Sequence, residues 1–90
     1  MNKAELIERV ARDTGLTKAD SLRAIDALVD NVTKSLRKGE KVTLVGFGSF
    51  QTARRRARNG RNPQTGTPIK IAARRVPKFI PGKELRDEVS

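Results

Sequence analysis

The stretch "GFGSFQTARRRARNGRNPQTG", residues 46–66, combines a tight-turn signal, a strand and a basic hairpin tip. Gly46 and Gly48 permit a tight reversal, and Phe47 and Phe50 are two of the three aromatic residues in the chain. Such scarce aromatic side chains are expected in a core or an interface. Five arginines and no acidic residue follow them. The stretch therefore predicts a strand that leaves a packed base and continues as a basic arm.

The arm is predicted to be a β-hairpin, with one strand from Ser49 towards Arg58 and the next from about Ile69 to Phe79. Between Arg54 and Arg75 the only apolar side chains larger than alanine, prolines apart, are Ile69 and Ile71. The hairpin cannot be packed on both faces, so we expect it to project into solvent. At about 3.3 Å per residue, the part up to residue 62 reaches roughly 30 Å.

The first forty residues show the periodicity of two helices. Asn2 with Glu5, and Thr17 with Asp20, have the spacing of a capping box at a helix start. Glycines at which a left-handed C-terminal cap is expected follow each helix, at Gly15 and Gly39. From residue 41 the apolar period changes to two, which indicates a strand, and a short helix is expected after Pro81 and Gly82. The pattern predicts an α+β fold with a helical hairpin, a three-stranded antiparallel sheet with its arm, and a C-terminal helix.

The net charge of +10 is distributed unevenly. Residues 1–40 hold eight Lys or Arg against seven Asp or Glu, residues 41–83 hold eleven against none, and residues 84–90 hold one against three. A block of like charge of this length repels itself unless a polyanion neutralises it. Nucleic acid is the expected partner.

Composition argues against several other classes of protein. The chain has neither cysteine nor histidine, so disulfides, thiolate metal sites and the usual general base are absent. No nucleophile stands beside a base and no ligand cluster is visible, so we expect neither an enzyme nor a cofactor. Neither a long apolar span nor a signal peptide is present. We therefore expect a cytosolic protein without a membrane partner.

The basic hairpin suits the minor groove of DNA. In an extended strand Arg54, Arg56 and Arg58 share one face, and the small alanines keep the ribbon slim. Arginine is drawn to the negative potential of the minor groove and pairs with phosphates. Pro63, at the tip, has two interpretations: a turn residue, which the local sequence "NPQTG" favours, or an apolar wedge between base steps.

The run from Gly46 to Thr65 resembles the signature of the HU and integration host factor family of bacterial DNA-bending proteins, and the likeness extends from "MNKAELI" to "VPKFIPGKELRDEV". The resemblance implies an intertwined dimer with two arms around DNA and a wedge at Pro63. It also implies an aromatic dimer core of Phe47, Phe50 and Phe79. The DNA contacts implied by position are Lys3, Arg55, Arg58, Arg61, Asn62, Pro63, Gln64, Lys70, Arg74, Arg75 and Lys83.

The same resemblance implies one DNA-binding domain over residues 1–90. Its parts are a helical dimerisation segment at 1–40, the sheet and arm at 41–83, and the C-terminal helix at 84–90. Many family members carry a basic residue where this chain has Ala53, and acidic residues where it has Arg54 and Arg56. The added arm charge predicts tighter, less selective binding and a steeper salt dependence.

The leading hypothesis is a homodimeric architectural protein of the bacterial nucleoid. It would bind double-stranded DNA with little sequence specificity, bend it, and compact or stabilise the chromosome. Bent, nicked or gapped sites are expected to be preferred because their deformation costs less. The near alternative is the sequence-specific, usually heterodimeric integration host factor branch. A different alternative is an RNA-binding structural protein, although an arm without stacking aromatics favours only weak RNA binding.

Overall fold

The computed structural model describes residues 1–55, 58–61, 64–71 and 73–90, and of these it describes only the backbone at 55, 58, 59, 61 and 69–71. The α+β prediction is confirmed. Elements follow in the order α1 Lys3–Thr14, α2 Lys18–Arg37, β1 Val42–Leu44, β2 Gly48–Arg55, β3 Arg58–Arg61, β4 Pro68–Ile71, β5 Arg74–Pro81 and α3 Lys83–Val89. The described backbone divides into two compact units, Met1–Lys34 and Ser35–Ser90.

The two long helices begin as their capping signals predict. The Asn2 side chain accepts a hydrogen bond of 2.9 Å from the backbone N–H of Glu5, and Thr17 Oγ1 accepts one of 3.0 Å from the N–H of Asp20. Helix α1 ends at Gly15, whose φ of 75° is the left-handed conformation that glycine adopts without cost. Side-chain capping therefore fixes both starts.

The first unit brings α1 and the beginning of α2 together through charges and one small residue. Lys3 Nζ lies 2.7 Å from Asp26 Oδ1, and Lys18 Nζ lies 3.5 Å from Glu8 Oε1. Ser21 is fully buried, and its hydroxyl has no hydrogen-bond partner among the described atoms. Ion pairs therefore link α1 to α2, and Ser21 is enclosed within the unit.

Strand β2 is the centre of a three-stranded antiparallel sheet in the order β1-β2-β5. Val42 pairs with Phe50 on one side of β2, and Phe50 pairs with Phe79 on the other. A turn joins β1 to β2 and is closed by a 2.9 Å bond from Phe47 N–H to the Leu44 carbonyl. The tight reversal predicted from Gly46 and Gly48 is confirmed, with the turn at residues 45–47 and Gly46 at a φ of 85°.

A second, two-stranded ladder joins β3 to β4. The two long strands predicted from the sequence are thus described as two ladders, with residues 56, 57 and 72 outside the description. Both ladders share one register, because Arg55 pairs with Arg74 and Arg58 pairs with Ile71, three positions further along each strand. A single hairpin pairing scheme therefore relates the sheet to the arm.

Candidate nucleic-acid interface

Arginine pairs stand opposite each other where the three-stranded sheet ends. Arg54 pairs with Arg75 and Arg55 with Arg74 in consecutive cross-strand positions. Like charges directly opposite in a sheet destabilise it unless a counter-charge lies nearby. The described pair of Arg54 and Arg75 therefore favours an anion beside it.

A groove of about 410 Å³ lies beside these pairs and is lined by Arg54, Ala73, Arg74 and Arg75. The three arginines are exposed, and Ala73 leaves the space between them open. Guanidinium groups donate paired hydrogen bonds that match phosphate oxygens. The groove can accept phosphate groups of a polymer that passes along the hairpin.

Beyond the groove, β3 and β4 carry several predicted DNA contacts at paired backbone positions. Asn59 pairs with Lys70 and Arg61 with Pro68. The described part of the turn, residues 64–67, is held by a 2.9 Å hydrogen bond from Thr65 Oγ1 to Thr67 Oγ1. A second bond of 3.3 Å, from the N–H of Thr67 to Thr65 Oγ1, links the same two residues. Asn62 and Pro63 themselves lie outside the described residues.

The remaining predicted contacts have different surroundings. Lys83 is the first residue of α3 and is exposed. Lys3 forms the ion pair with Asp26 described above. Arg75 Nη2 donates a 3.2 Å hydrogen bond to the carbonyl of Arg37. Two of the predicted contacts thus already have partners within their own unit.

The groove also contains an arginine that the predicted contact set does not include. The sequence places Arg54 on the arm, outside the set of contacts that the family resemblance implies. Its position opposite Arg75 and beside the groove depends on the strand register. The alternation of the strand places Arg54 on one face with Arg56 and Arg58, but no local pattern carries the register that sets it opposite Arg75.

The predicted aromatic residues are brought together at the base of the hairpin. The ring of Phe79 lies 4.9 Å from that of Phe50 and 5.3 Å from that of Phe47, measured between centroids. Phe47 and Phe79 nevertheless keep 45% and 38% of their surface exposed, and no apolar residue in the described parts of the chain is fully buried. The cluster therefore leaves an apolar surface open.

No ion pair joins two described side chains in the unit Ser35–Ser90, whereas five occur in Met1–Lys34. The described residues contain no cluster of acidic residues able to hold a metal ion. None of the described helices is long and apolar enough to cross a membrane.

These features can be set beside known proteins. The sequence matches the family "Bacterial DNA-binding protein" over residues 1–90. It is 55% identical to DNA-binding protein HU of Geobacillus stearothermophilus over 89 residues, which are 99% of each chain. It is 54% identical to DNA-binding protein HU-beta of Serratia marcescens over 90 residues and the full length of both.

Solved structures agree with this likeness. Superposition on HU in the Anabaena HU–DNA cocrystal structure gives a TM-score of 0.94 at 43% identity, covering 100% of this chain and 98% of the other. HU from Thermotoga maritima gives a TM-score of 0.71 at 38% identity, with both chains fully covered. The chain belongs to the HU family of bacterial DNA-binding proteins. The predicted family resemblance is confirmed.

Proposed function

We propose that two copies of this chain form a homodimer that binds double-stranded DNA through two basic arms, one from each copy. The observation that best supports this proposal is the charge of the unit Ser35–Ser90, which contains fourteen Lys or Arg and four Asp or Glu. No ion pair joins two of its described side chains. Cations left unpaired by their own unit attract a polyanion. The likeness to Anabaena HU, crystallised with DNA, favours DNA as that polyanion.

The homodimer is supported by the apolar surface that one chain leaves open. Phe47 and Phe79 are partly exposed, and on α2 the side chains of Leu28 and Val29 are 51% and 59% exposed. Apolar surfaces of this kind mark interfaces, and homodimer interfaces are more apolar than transient ones. Residues 1–90 act as one domain in each copy, with Phe47, Phe50 and Phe79 at the aromatic centre of the dimer.

DNA bending follows from the shape of the paired arm and its tip. A two-stranded ribbon with arginines opposite each other enters the minor groove, and Pro63 inserts between base steps. Unstacking costs a few kcal/mol, which added protein contacts along the bent duplex offset. Bent, nicked or gapped DNA binds more tightly, since part of the deformation is already made.

The contacts of the arm are dominated by backbone phosphates. We assign this role to the predicted positions on the arm and body, with Asn62 and Gln64 beside the wedge: Lys3, Arg55, Arg58, Arg61, Lys70, Arg74 and Lys83. Arg75 belongs to the same predicted set, but its guanidinium group already donates a hydrogen bond to the carbonyl of Arg37. Phosphate contacts carry no direct sequence information, so binding has little sequence specificity. The protein compacts and stabilises the chromosome in the bacterial nucleoid, without a catalytic role or a cofactor.

Energy transfer between dyes on the two ends of a short duplex tests this function. We expect the ends to approach as protein is added, with an affinity that falls steeply between two salt concentrations. Binding without approach of the ends would leave a basic coat protein and no bending. Competition with double-stranded RNA separates the RNA alternative, which predicts that RNA displaces DNA at equal concentration.

The wedge is tested by Pro63→Ala, with Pro68→Ala as a matched control. Pro68 begins β4 and pairs with Arg61, so it flanks the same turn. Pro63→Ala should retain most of the affinity while reducing energy transfer at saturation, and Pro68→Ala should reduce it little. Equal transfer in wild type and Pro63→Ala would return Pro63 to the role of a turn residue.

A further inference from the structure

Helix α2 ends in a backbone arrangement that leaves one carbonyl for a side chain. The N–H of Glu40 donates to the carbonyl of Ser35 at 2.8 Å, and the N–H of Gly39 donates to that of Leu36 at 3.0 Å. With Gly39 at a φ of 80°, these two bonds form a Schellman ending. The carbonyl of Arg37, the last helical residue, receives neither bond and needs another donor.

Arg75 of β5 supplies that donor. Its Nη2 lies 3.2 Å from the carbonyl oxygen of Arg37, although 38 positions separate the two residues in the sequence. The carboxyl end of a helix carries partial negative charge, so a guanidinium group is favoured there. Both residues belong to the unit Ser35–Ser90. The bond connects the root of the hairpin, where Arg54 pairs with Arg75 and Arg55 with Arg74, to the last turn of α2.

Gly39 provides the room for this contact as well as the turn. A Cβ atom at Gly39 would lie 3.2 Å from Nη1 of Arg75, a tighter approach than Cβ atoms usually make. Gly15 ends α1 with a similar φ of 75° and has open space where its Cβ would lie. The two helix ends therefore share a backbone conformation, but only the end at Gly39 is crowded by an arginine.

The contact also distinguishes Arg75 from the neighbouring arginines of the hairpin. Arg75 is paired across the strands with Arg54 and is followed in the ladder by the pair of Arg55 and Arg74. The carbonyl of Arg37 at the end of α2 gives the side chain of Arg75 a partner within the protein. The side chain of Arg74, by contrast, is exposed and lines the groove with no hydrogen bond or ion pair to another described residue.

We propose that Arg75 is a positioning residue, which caps α2 and fixes the root of the arm, and that it is not a phosphate contact. The family resemblance made Arg75 a DNA contact, and this proposal revises that role. The statement that Arg75 does not contact phosphate rests on the proposed DNA binding. Arg54 and Arg74 provide the phosphate contacts at the root. The arm thus leaves the sheet from a point fastened to the end of a helix.

The capping half is tested without DNA, by amide hydrogen exchange on the full chain. Arg75→Gln should speed exchange at Gly39 and Glu40 about two- to fivefold, the range expected for a charged side chain at a helix end. Arg75→Lys, which retains the charge, should restore part of the protection. The matched control Arg74→Gln changes the neighbouring residue of the same strand and should leave both amides unaffected. Unchanged exchange in Arg75→Gln would overturn the capping role.

The second half is tested by the slope of log K against log salt concentration for a short duplex. Each lost phosphate contact flattens the slope by about 0.9. In the proposed homodimer Arg74→Gln removes one contact from each arm and should flatten the slope by about 1.8, whereas Arg75→Gln should retain the wild-type slope. A slope flattened equally by both variants would make Arg75 a phosphate contact. A wild-type protein without salt-dependent DNA binding would refute the proposed function and leave the exchange result to decide the cap.

Discussion

The two units of this chain differ most in their net charge and in how many of their charged side chains form ion pairs. Met1–Lys34 holds six Lys or Arg and six Asp or Glu, and five ion pairs link them, whereas Ser35–Ser90 carries the entire net charge of +10. Exposed ion pairs contribute little to stability. Their effect is on availability: five of the six cations of the first unit have ion-pair partners, whereas no ion pair joins two described side chains of the second unit. The described cations of the second unit can therefore meet an external polyanion.

In the second unit, aromatic contacts and arginine pairs occur in the same pair of strands, β2 and β5. Phe50 and Phe79 pair near one end of the β2–β5 ladder, and Arg55 and Arg74 pair at the other. One ladder therefore passes from an aromatic base to a cationic root within a few residues. The base provides rigidity for cations that repel each other. Four predictions sharpen or break this contrast, beginning with the largest expected effect.

Gly48→Ala should disrupt the aromatic base most strongly. A Cβ atom there would lie 2.6 Å from the carbonyl oxygen of Ile80 and 2.7 Å from Cζ of Phe79, so backbone and ring must both move. We expect the free energy of unfolding to fall by about 3 kcal/mol or more, as for an overpacked core. Thermal denaturation followed by circular dichroism measures this loss.

Gly66→Ala is the control for the Gly48 substitution. Gly66 has a φ of 72° and open space around its missing Cβ, so only the backbone conformation opposes a side chain. Its cost should be about 1–2 kcal/mol. If Gly48→Ala costs no more than Gly66→Ala, the base is not tightly packed and the contrast between base and arm is wrong.

Phe79→Ala should weaken the proposed dimer, because Phe79 contacts both Phe47 and Phe50. Removal of a buried phenylalanine costs about 3 kcal/mol or more, and the part of this ring exposed in one chain joins the interface. Sedimentation equilibrium should show monomer at concentrations where wild type is dimeric. Phe79→Leu keeps an apolar side chain and should stay dimeric; equal dimerisation of all three proteins would remove the ring from the interface.

Removal of two cations should weaken DNA binding at the root of the arm but not at Arg12 and Arg23, two paired cations of the first unit. Arg54→Gln with Arg74→Gln removes two contacts from each of the two arms of the proposed dimer and should flatten the salt slope of DNA binding by about 3.6, at 0.9 for each phosphate contact. The matched double variant, Arg12→Gln with Arg23→Gln, removes cations that are paired with Asp13 and Asp20. Its slope should equal that of wild type. Equal slopes for the two double variants would show that paired and unpaired cations contribute alike.

Ser21→Ala should have the smallest effect and the opposite sign. The hydroxyl of Ser21 is buried without a partner among the described atoms, and such a group costs about 1–3 kcal/mol. Its removal should raise the melting temperature slightly and leave the salt slope of DNA binding unchanged. Ser21→Val adds volume at the same fully buried position and should lower the melting temperature. A large loss in Ser21→Ala would mean that the hydroxyl has a partner in the assembled protein.

Local features of this protein were predictable because their physics is local. The capping residues Asn2 and Thr17 act over three positions, and Gly15 and Gly39 are required by one backbone angle each. The change of apolar period at residue 41 and the charge block after it need no knowledge of contacts. These patterns were enough for the α+β class, the hairpin and a polyanion partner.

The sequence by itself determined the helix boundaries, the separation of charge between the two units and the family. Only the tertiary structure decided that Arg54 lies opposite Arg75, that Phe79 meets two rings, and that Arg75 caps α2 at Arg37. The physical reason is sequence distance. Register and long-range hydrogen bonds join residues many positions apart, and a shift of one residue would turn every side chain of a strand to the opposite face.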